Sequence, residues 1–426
     1  MNSLNTRREV TVLGAGMVGV SCALALQAKG WRVTLIDKRG PGEETSFGNA
    51  GVLSRSSLLP FNRPGLWRAL PHILLKSSPA LQLRASALMQ WSWLYQFLWH
   101  AKASSFAVTS VALDALIQLS ISTHSTWIHQ AQVENLFHDK GWLWLYSNPE
   151  AFASSAVTRG ILQDFSVNME VLTPQSLTDL EPHIAPKFSH AVWIKDAMSV
   201  SNPGALVKAY AQQFIRAGGE FQMNAVLGIT QQSEGWQCHT ASGHVHDTPN
   251  LVVAMGPWSD ALLAASHLPQ PKRVPLGFER GYHRHFKPVE GIKLGRPVYD
   301  TSGAYVLSPM QNDRGETMMR LSTGVELAAQ HAAFNTQQLE DAEIAVRKVF
   351  PLKESIAGSD WLGARPTTPD SRPVIGEVPG CPGLWLAYGH QHIGFSTGSG
   401  TGVLLSELMS CEPTSIDPRP FSPARF

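Results

Sequence analysis

Three observations predict a mixed α/β fold in which a doubly wound, parallel-sheet unit is interrupted by a second, sheet-rich domain. Residues 9–37 read as one β-α-β unit. Short β-prone runs ending in glycine recur near residues 13, 254 and 388, far apart in the chain. Longer helical and sheet-like stretches separate them, and 426 residues exceed what one simple core organises. The expected division is residues 1–60, 190–265 and 356–426 for the first unit, and 61–189 with 266–355 for the inserted one.

Val10, Val12 and Leu13 form an apolar, β-prone run, followed by Gly14-Ala15-Gly16-Met17-Val18-Gly19. Val20 to Ala28 suits a helix, stopped at Gly30. Trp31 to Ile36 is a second β-prone run, closed by Asp37. Gly, Ser, Asn and Pro make 40–66 a loop. Residues 86–100 concentrate aromatics: Trp91, Trp93, Tyr95, Phe97 and Trp99. A long helix is expected over 109–132. Asn202-Pro203 starts another, over 203–217, which Gly218-Gly219 ends. Glu220 to Val226 and Leu251 to Ala254 read as strands, and 272–325 as several strands between turns. Leu339, Ala342, Ile344, Ala345, Val346 and Val349 make Asn335–Phe350 an amphipathic helix. The C-terminal part alternates turns and short strands and closes on a helix near Gly402–Ser410.

Bulk composition narrows the function classes. Net charge is +1 with 16% charged residues, so neither a nucleic-acid partner nor a disordered acidic tail is indicated. The four cysteines, Cys22, Cys238, Cys381 and Cys411, show no C-x-x-C spacing, which argues against a disulfide framework or a zinc site and for a reducing compartment. Arg7 and Arg8 lead into Glu9 and a strand rather than an export signal. No run of roughly 18 apolar residues is expected to span a bilayer. A cytoplasmic protein, or one peripheral to the inner membrane, is the expectation.

The Gly14–Gly19 segment carries the first chemistry. Gly14 permits the tight turn after the strand, Gly16 lets a pyrophosphate approach the backbone, and Gly19 lets the helix pack on the strand. The helix N-terminus offers free N–H groups and the positive dipole end to phosphate oxygens. Asp37, with Lys38 and Arg39 after it, ends the second strand, where a carboxylate accepts from a ribose diol and repels a 2′-phosphate. The turn, the helix, the second strand and the acid together indicate a dinucleotide but do not separate FAD from NAD.

Further segments break that tie by resemblance. Thr45-Ser46-Phe47-Gly48-Asn49-Ala50-Gly51-Val52, with Leu53 after it, resembles the loop that runs along the pyrophosphate and ribityl chain in FAD-dependent D-amino acid dehydrogenases. Val252-Val253-Ala254-Met255-Gly256-Pro257-Trp258 is similar to the strand-then-Gly-x-Trp segment of the same superfamily, and Val226 falls at its adenine site. Trp361–Asp370, then Pro373–Gly376, then Tyr388-Gly389-His390-Gln391-His392-Ile393-Gly394-Phe395 resemble its G-x-R-P-x-x-P-D-x-x-P-x-I-G and G-H-x-H-x-G segments. Glu279–His283 and the closing Arg425-Phe426 match as well, so the resemblance covers Val10 to Phe426 and is closest to dehydrogenases of the D-amino acid and D-hydroxyproline type. It implies a glutathione-reductase-like FAD domain of the Rossmann type with an inserted antiparallel-sheet substrate domain. No cysteine sits in a context that marks covalent flavin attachment, so FAD is expected to be held non-covalently. The resemblance also places Gly389, His390, Ile393, Gly394, Phe395 and Ser396 beside the flavin, with a helix N-terminus, from about Phe395 to Gly400, facing the N1–C2=O end of the ring.

The implied reaction oxidises the CH–NH bond of a D-amino acid, D-proline or hydroxyproline among them, by hydride transfer to flavin N5. An arginine is the natural carboxylate partner. Arg365, nearest the flavin, is the first candidate and Arg280 the second; a structural role for Arg365 in holding the Pro-rich turn is the alternative. Tyr282 and His283 are neighbours on one expected strand, so only one faces the flavin directly. His283 either accepts a proton or caps the sheet, and His390 or His392 hydrogen-bonds the ring or substrate. The His390-x-His392 pair lacks further ligands, so no metal is expected. Two other readings stand beside this one: a glycine- or sarcosine-type amine oxidase using oxygen, and a non-catalytic flavoprotein subunit. The 86–100 segment reads either as an interfacial helix passing electrons to a membrane quinone or as a buried helix; its few basic residues favour the buried one. The oligomeric state and the exact substrate stay open.

Overall fold

The structure is a computed structural model that describes residues 8–68, 71, 81–266 and 274–426. Arg7 and the first two residues of the expected 272–325 sheet region lie outside the described residues. The strand Glu9–Leu13 sits near the middle of a six-stranded sheet, and Val10, Val12 and Leu13 are fully buried. Burial on both faces is what a parallel strand with covered faces demands, and it explains a continuous apolar run in place of alternation. Arg32–Asp37 and Leu251–Val253 flank it in parallel, with Val12 opposite both Leu35 and Val252. Glu220–Met223 extends the sheet on one side and Leu384–Tyr388 on the other, both parallel, and Val374–Glu377 closes it antiparallel. The chain leaves the Glu9–Leu13 strand first to one side and later to the other. A crevice therefore opens at the carboxyl ends of Glu9–Leu13 and Leu251–Val253.

The helix Met17–Ala28 packs between Pro203–Arg216 and Gly394–Met409. The Gly394–Met409 helix starts eight residues before the Gly402 expected from the local pattern and one before the Phe395 implied by the resemblance. Its glycines each cost roughly 1 kcal/mol in helix propensity, and packing overrides that. A Cβ at Gly398 would lie 2.7 Å from Met17 Cγ, and one at Gly400 would lie 2.7 Å from the Leu116 carbonyl oxygen. The glycines let this helix lie close to two others at once.

The helix Ala103–Ala131 corrects another expectation. Its 29 residues include an 18-residue window of mean hydropathy 1.5, long and apolar enough to cross a membrane by length and composition. Its polar breaks are mostly Ser and Thr, with one charge, Asp114, which pairs with Arg55 Nε at 3.0 Å. Here Leu113, Leu116 and Ile117 are fully buried, and Ser120 Oγ lies 2.7 Å from Ser399 Oγ of the Gly-rich helix. One face of it packs in the core of this fold, while Val108 and Val111 are exposed on the other.

A second, ten-stranded sheet carries Gly277–Phe286, Val298–Asp300, Tyr305–Gln311 and Thr317–Thr323 together with Trp142–Tyr146 and His190–Ile194. Most pairings are antiparallel; Val298–Asp300 runs parallel to Trp142–Tyr146, and Val325–Leu327 parallel to Leu81–Leu83. Two expected boundaries shift. His190–Ile194 pairs with Trp142–Tyr146 and belongs to this sheet, not to the crevice unit. Trp361–Thr367 likewise pairs along Gly277–His283. Strand pairing, invisible locally, moves both.

In the aromatic segment, the helix Trp91–Trp99 buries Trp93 and Phe97 while Trp91, Tyr95 and Trp99 are 72%, 64% and 60% exposed. The buried-helix expectation holds for one face only.

Candidate active site

A cavity of about 1010 Å³ runs from the sheet crevice to the large sheet. At the crevice end, Gly14 takes φ +105°. A Cβ there would lie 2.5 Å from the Ala254 carbonyl oxygen, so only glycine allows the two strand ends to come together. Gly16 lines the cavity, and a Cβ on it would approach Ser46 Oγ at 3.3 Å. A Cβ on Gly19 would run into the Gly14 carbonyl group. The N-cap residue of the helix Met17–Ala28 is Gly16, which has no side chain to cap it, and the first turn holds no acidic residue, leaving the N-terminus electropositive at the cavity wall.

Asp37 lines the same end, its Oδ2 accepting from the Ala15 N–H at 2.6 Å and its Oδ1 from the Arg39 N–H at 2.9 Å. Burial raises its carboxyl above the usual range, partly offset by those two N–H donors. Lys38 Nζ sits 3.8 Å over the Trp258 ring, and both line the cavity beside Val226, Ala254 and Gly256. The cleft, the helix N-terminus with no acidic residue in its first turn and the acid at the second strand end fit a dinucleotide.

The loop 45–53 forms the next stretch of wall, through Thr45, Ser46, Asn49, Ala50 and Val52. Ser46 Oγ accepts from the Met17 N–H at 2.9 Å, tying the loop to the helix start. Arg320, 2% exposed, donates to the Phe47 carbonyl at 2.8 Å and to the Asn49 carbonyl, and through Nε to His285 at 2.9 Å. Burial lowers this guanidinium to about 9. Arg320 fixes the loop, and sequence reasoning missed it because its role depends on a contact some 270 residues away.

Several expected contact residues do not line the cavity. Ala15 offers its N–H to Asp37, and Gly19 packs on Gly14. Arg39 pairs with Glu44 at 3.2 Å on the exposed side. Gly51, at φ +75°, packs on the Val200 carbonyl, and Leu53 is fully buried in the core. Gly389, at φ +83°, packs on Thr368. These residues shape the wall from behind.

At the far end, Glu279, Gly281 and His283 share one face of Gly277–Phe286 and lie opposite Arg365, Gly363 and Trp361 on the neighbouring strand. Arg365 lines the cavity and makes no hydrogen bond to the protein among the described residues. Burial lowers its guanidinium, and Glu279 acts the other way. Gly281 leaves the room it occupies: a Cβ there would lie 2.6 Å from Arg365 Cζ. The Pro-rich turn that Arg365 was alternatively expected to hold is held otherwise. Arg425 Nε and Arg372 Nη2 each reach Asp370 Oδ2 at 2.8 Å, and Thr368 Oγ1 donates to the Arg372 carbonyl at 2.7 Å.

Three other expected groups are repositioned. Tyr282 is on the opposite face, donating to Glu326 Oε2 at 2.7 Å and packing on Phe334, away from the cavity. Arg280 shares that buried cluster, its Nε 3.5 Å from Glu326 Oε2. His283 is on the cavity side but sits behind it, stacked 4.9 Å from Trp361 and 4.7 Å from His285. Burial, with Arg320 and His285 nearby, drives its pKa far down, so the ring is a neutral spacer and not a base.

His390, Ile393, Gly394, Phe395 and Ser396 all line the cavity, at the start of the Gly394–Met409 helix. His390 is bonded to Thr401 Oγ1 at 2.9 Å, and burial lowers it to about 3. His392 lines the cavity too, its Nδ1 3.2 Å from the buried Glu279. Ser396 Oγ donates to the Val52 carbonyl at 3.1 Å, joining this helix start to the 45–53 loop.

The sequence profile of the family described as FAD dependent oxidoreductase (DAO) matches residues 9–408. The chain is 30% identical over 428 residues to the D-amino-acid oxidase of Bradyrhizobium diazoefficiens, covering 98% of this chain and 99% of that protein. It is 26% identical to the D-amino acid dehydrogenase of Xylella fastidiosa, covering 96% and 93%. Among solved structures, L-proline dehydrogenase from P. horikoshii superposes with a TM-score of 0.73 at 18% identity, covering 98% of this chain and 97% of that one, a likeness of fold.

Proposed function

The chain belongs to the DAO family of FAD-dependent oxidoreductases, and from that premise we propose that it oxidises the CH–NH bond of a D-amino acid and passes the electrons to an acceptor other than oxygen, such as a quinone. The observation that carries the substrate class is Arg365, a half-buried cation on the cavity wall with no protein hydrogen bond among the described residues. Its planar fork is free to take a carboxylate in two parallel hydrogen bonds. FAD, when bound, supplies the two-electron acceptor. Gly14, Gly16 and the Met17–Ala28 N-terminus would hold its pyrophosphate, Asp37 its ribose, and the Gly394–Met409 N-terminus the electron-rich end of its ring.

The described cavity residues bind and orient the substrate and exclude water, and neither His390 nor His283 acts as a base. His390 is held neutral by burial, with its Nε2 engaged by Thr401. His283 is neutral and lies behind Trp361. The substrate amine therefore has to enter neutral, its proton lost to solvent.

Anaerobic bleaching of the bound flavin by D-amino acids, but not by their L enantiomers, is the expected result. Bleaching by L forms alone, or by no amino acid or secondary amine, rejects the proposal. The 30% identical relative named as an oxidase favours a second reading, in which oxygen is the acceptor. Stoichiometric peroxide in air selects it.

A further inference from the structure

We propose that the substrate's side chain is aromatic and seats in a lobe of the cavity walled by Trp142, Trp144, Tyr146 and Tyr299. This rests on the D-amino acid reading above and adds the side-chain class to it. The strand Trp142–Tyr146 alternates W-L-W-L-Y, which puts the three aromatics on one face and Leu143 and Leu145 on the other. Both leucines are fully buried in the core behind the sheet. Tyr299 joins the aromatic face from the neighbouring parallel strand, where it is opposite Trp144. Its ring stacks 6.3 Å from Trp142, and Trp142 meets Trp144 edge to face at 5.7 Å. All four line the same cavity as Arg365 and the His390–Ser396 segment. Ile393 belongs to the apolar cluster that contains Trp144 and Tyr146, so the lobe adjoins the segment expected to face the flavin.

The charge distribution of the cavity favours an uncharged group in this lobe. The carboxylates that line the cavity, Asp37 and Glu44, are both at the dinucleotide end. A lysine- or arginine-like side chain finds no counter-charge in the lobe and meets Arg63 at its rim. A small side chain such as that of alanine leaves the aromatic walls unfilled, whereas a ring can stack or meet them edge-on.

The test uses the FAD-loaded enzyme, reduced anaerobically by D-phenylalanine, D-tyrosine, D-tryptophan, D-alanine and D-proline. At least one aromatic substrate should exceed both D-alanine and D-proline in kcat/KM by tenfold or more, and Trp142→Ala should cut that ratio at least tenfold. Binding of redox-inert phenylacetate and of propionate, followed by tryptophan fluorescence of the unsubstituted protein, should favour phenylacetate by at least tenfold in Kd. Equal or better turnover of D-alanine or D-proline, or equal Kd for the two acids, overturns the aromatic lobe and leaves the oxidation of D-amino acids standing. Absence of bleaching by every amino acid overturns that function itself.

Discussion

Replacing Arg365 by methionine separates binding from scaffolding. Methionine keeps most of the stem's volume and removes the guanidinium. If Arg365 grips the substrate carboxylate, two charge-assisted hydrogen bonds are lost, each worth roughly 1.5 to 3 kcal/mol. Allowing for water that replaces part of the contact, about 3 kcal/mol of transition-state stabilisation disappears, a fall of roughly 10² in kcat/KM. The folding cost runs the other way. Arg365 donates no hydrogen bond to the protein among the described residues, and burial already disfavours its charge. The Pro-rich turn keeps its Asp370, Arg372 and Arg425 network. Glu279 loses a facing cation but retains His392 at 3.2 Å. Thermal stability should therefore change by no more than about 1 kcal/mol, within the ordinary range for a single substitution. Stopped-flow reduction of the flavin and thermal unfolding measure the two quantities. Wild-type kcat/KM in a folded R365M protein, or a loss of several kcal/mol in stability with proportionate inactivation, refutes the assignment.

Gly19→Ala should abolish flavin retention, because its Cβ would fall on the Gly14 carbonyl group and force the helix off the strand; overpacking of this kind costs about 1–3 kcal/mol. The ratio of visible flavin absorbance to protein absorbance after gel filtration reads it out, and an unchanged ratio contradicts the tight-turn role. Burial lowers His390 to about 3 and takes His283 lower still, so both are neutral from pH 5 upward. The kcat/KM profile should then show no ionisation near 6.5 that His390→Gln removes, and rise toward the pKa of the substrate amine; an acid limb lost in that variant contradicts the reading that His390 is not a base. Burial pushes the Asp370 carboxyl up, but Arg425 and Arg372 outweigh it and bring the group down from 3.8 to about 2. A carboxyl lowered on folding stabilises the protein above its unfolded pKa and loses that contribution as pH falls through the folded value. About 2 kcal/mol should vanish between pH 4 and 2. Denaturant titrations of Asp370→Asn should lack that pH-dependent decrement, and identical pH slopes would reject the assignment.

The crevice unit was legible because its signals are local. Strand, glycine turn, helix and terminal acid lie within residues 9–37, and each follows from backbone sterics or burial. The Gly394–Met409 helix was half legible: its glycines lower propensity, and only contact with Met17 and Leu116 reveals why they are there. Arg320 and the 142–146 aromatics were not identified, and Trp361 entered only as the start of a matched segment, since each acts across strands far apart in sequence. The W-L-W-L-Y alternation did carry a local signal for a two-faced strand, but not for what its aromatic face meets. Tyr282 and His283 show the same limit. Adjacent residues on a strand must point oppositely, yet only the pairing with Trp361–Thr367 shows which side is the cavity. It also puts Trp361 between His283 and the site.

The charged side chains along the cavity sort by end, and the sorting orients whatever enters. Asp37, Lys38 and Glu44 line the crevice end, whereas Arg63 and Arg365 line the end formed by the large sheet. Two unit charges 4 Å apart at an effective dielectric of about 20 interact by about 4 kcal/mol. A substrate carboxylate placed beside Asp37 pays that repulsion, while beside Arg365 it gains a comparable attraction. The anionic substrate is thus driven to the sheet end, where His390 and Ile393 lie, before any side-chain contact is made. Asp37, its carboxylate already fixed by the Ala15 and Arg39 N–H groups, is left to accept from neutral hydroxyls. One cavity can then take a long cofactor and a small acid without competition between them. Reversing the charge at Arg365 to glutamate should weaken substrate binding more than R365M does while leaving flavin affinity within about twofold; equal losses of substrate and flavin would mean the two ends are not electrostatically separate.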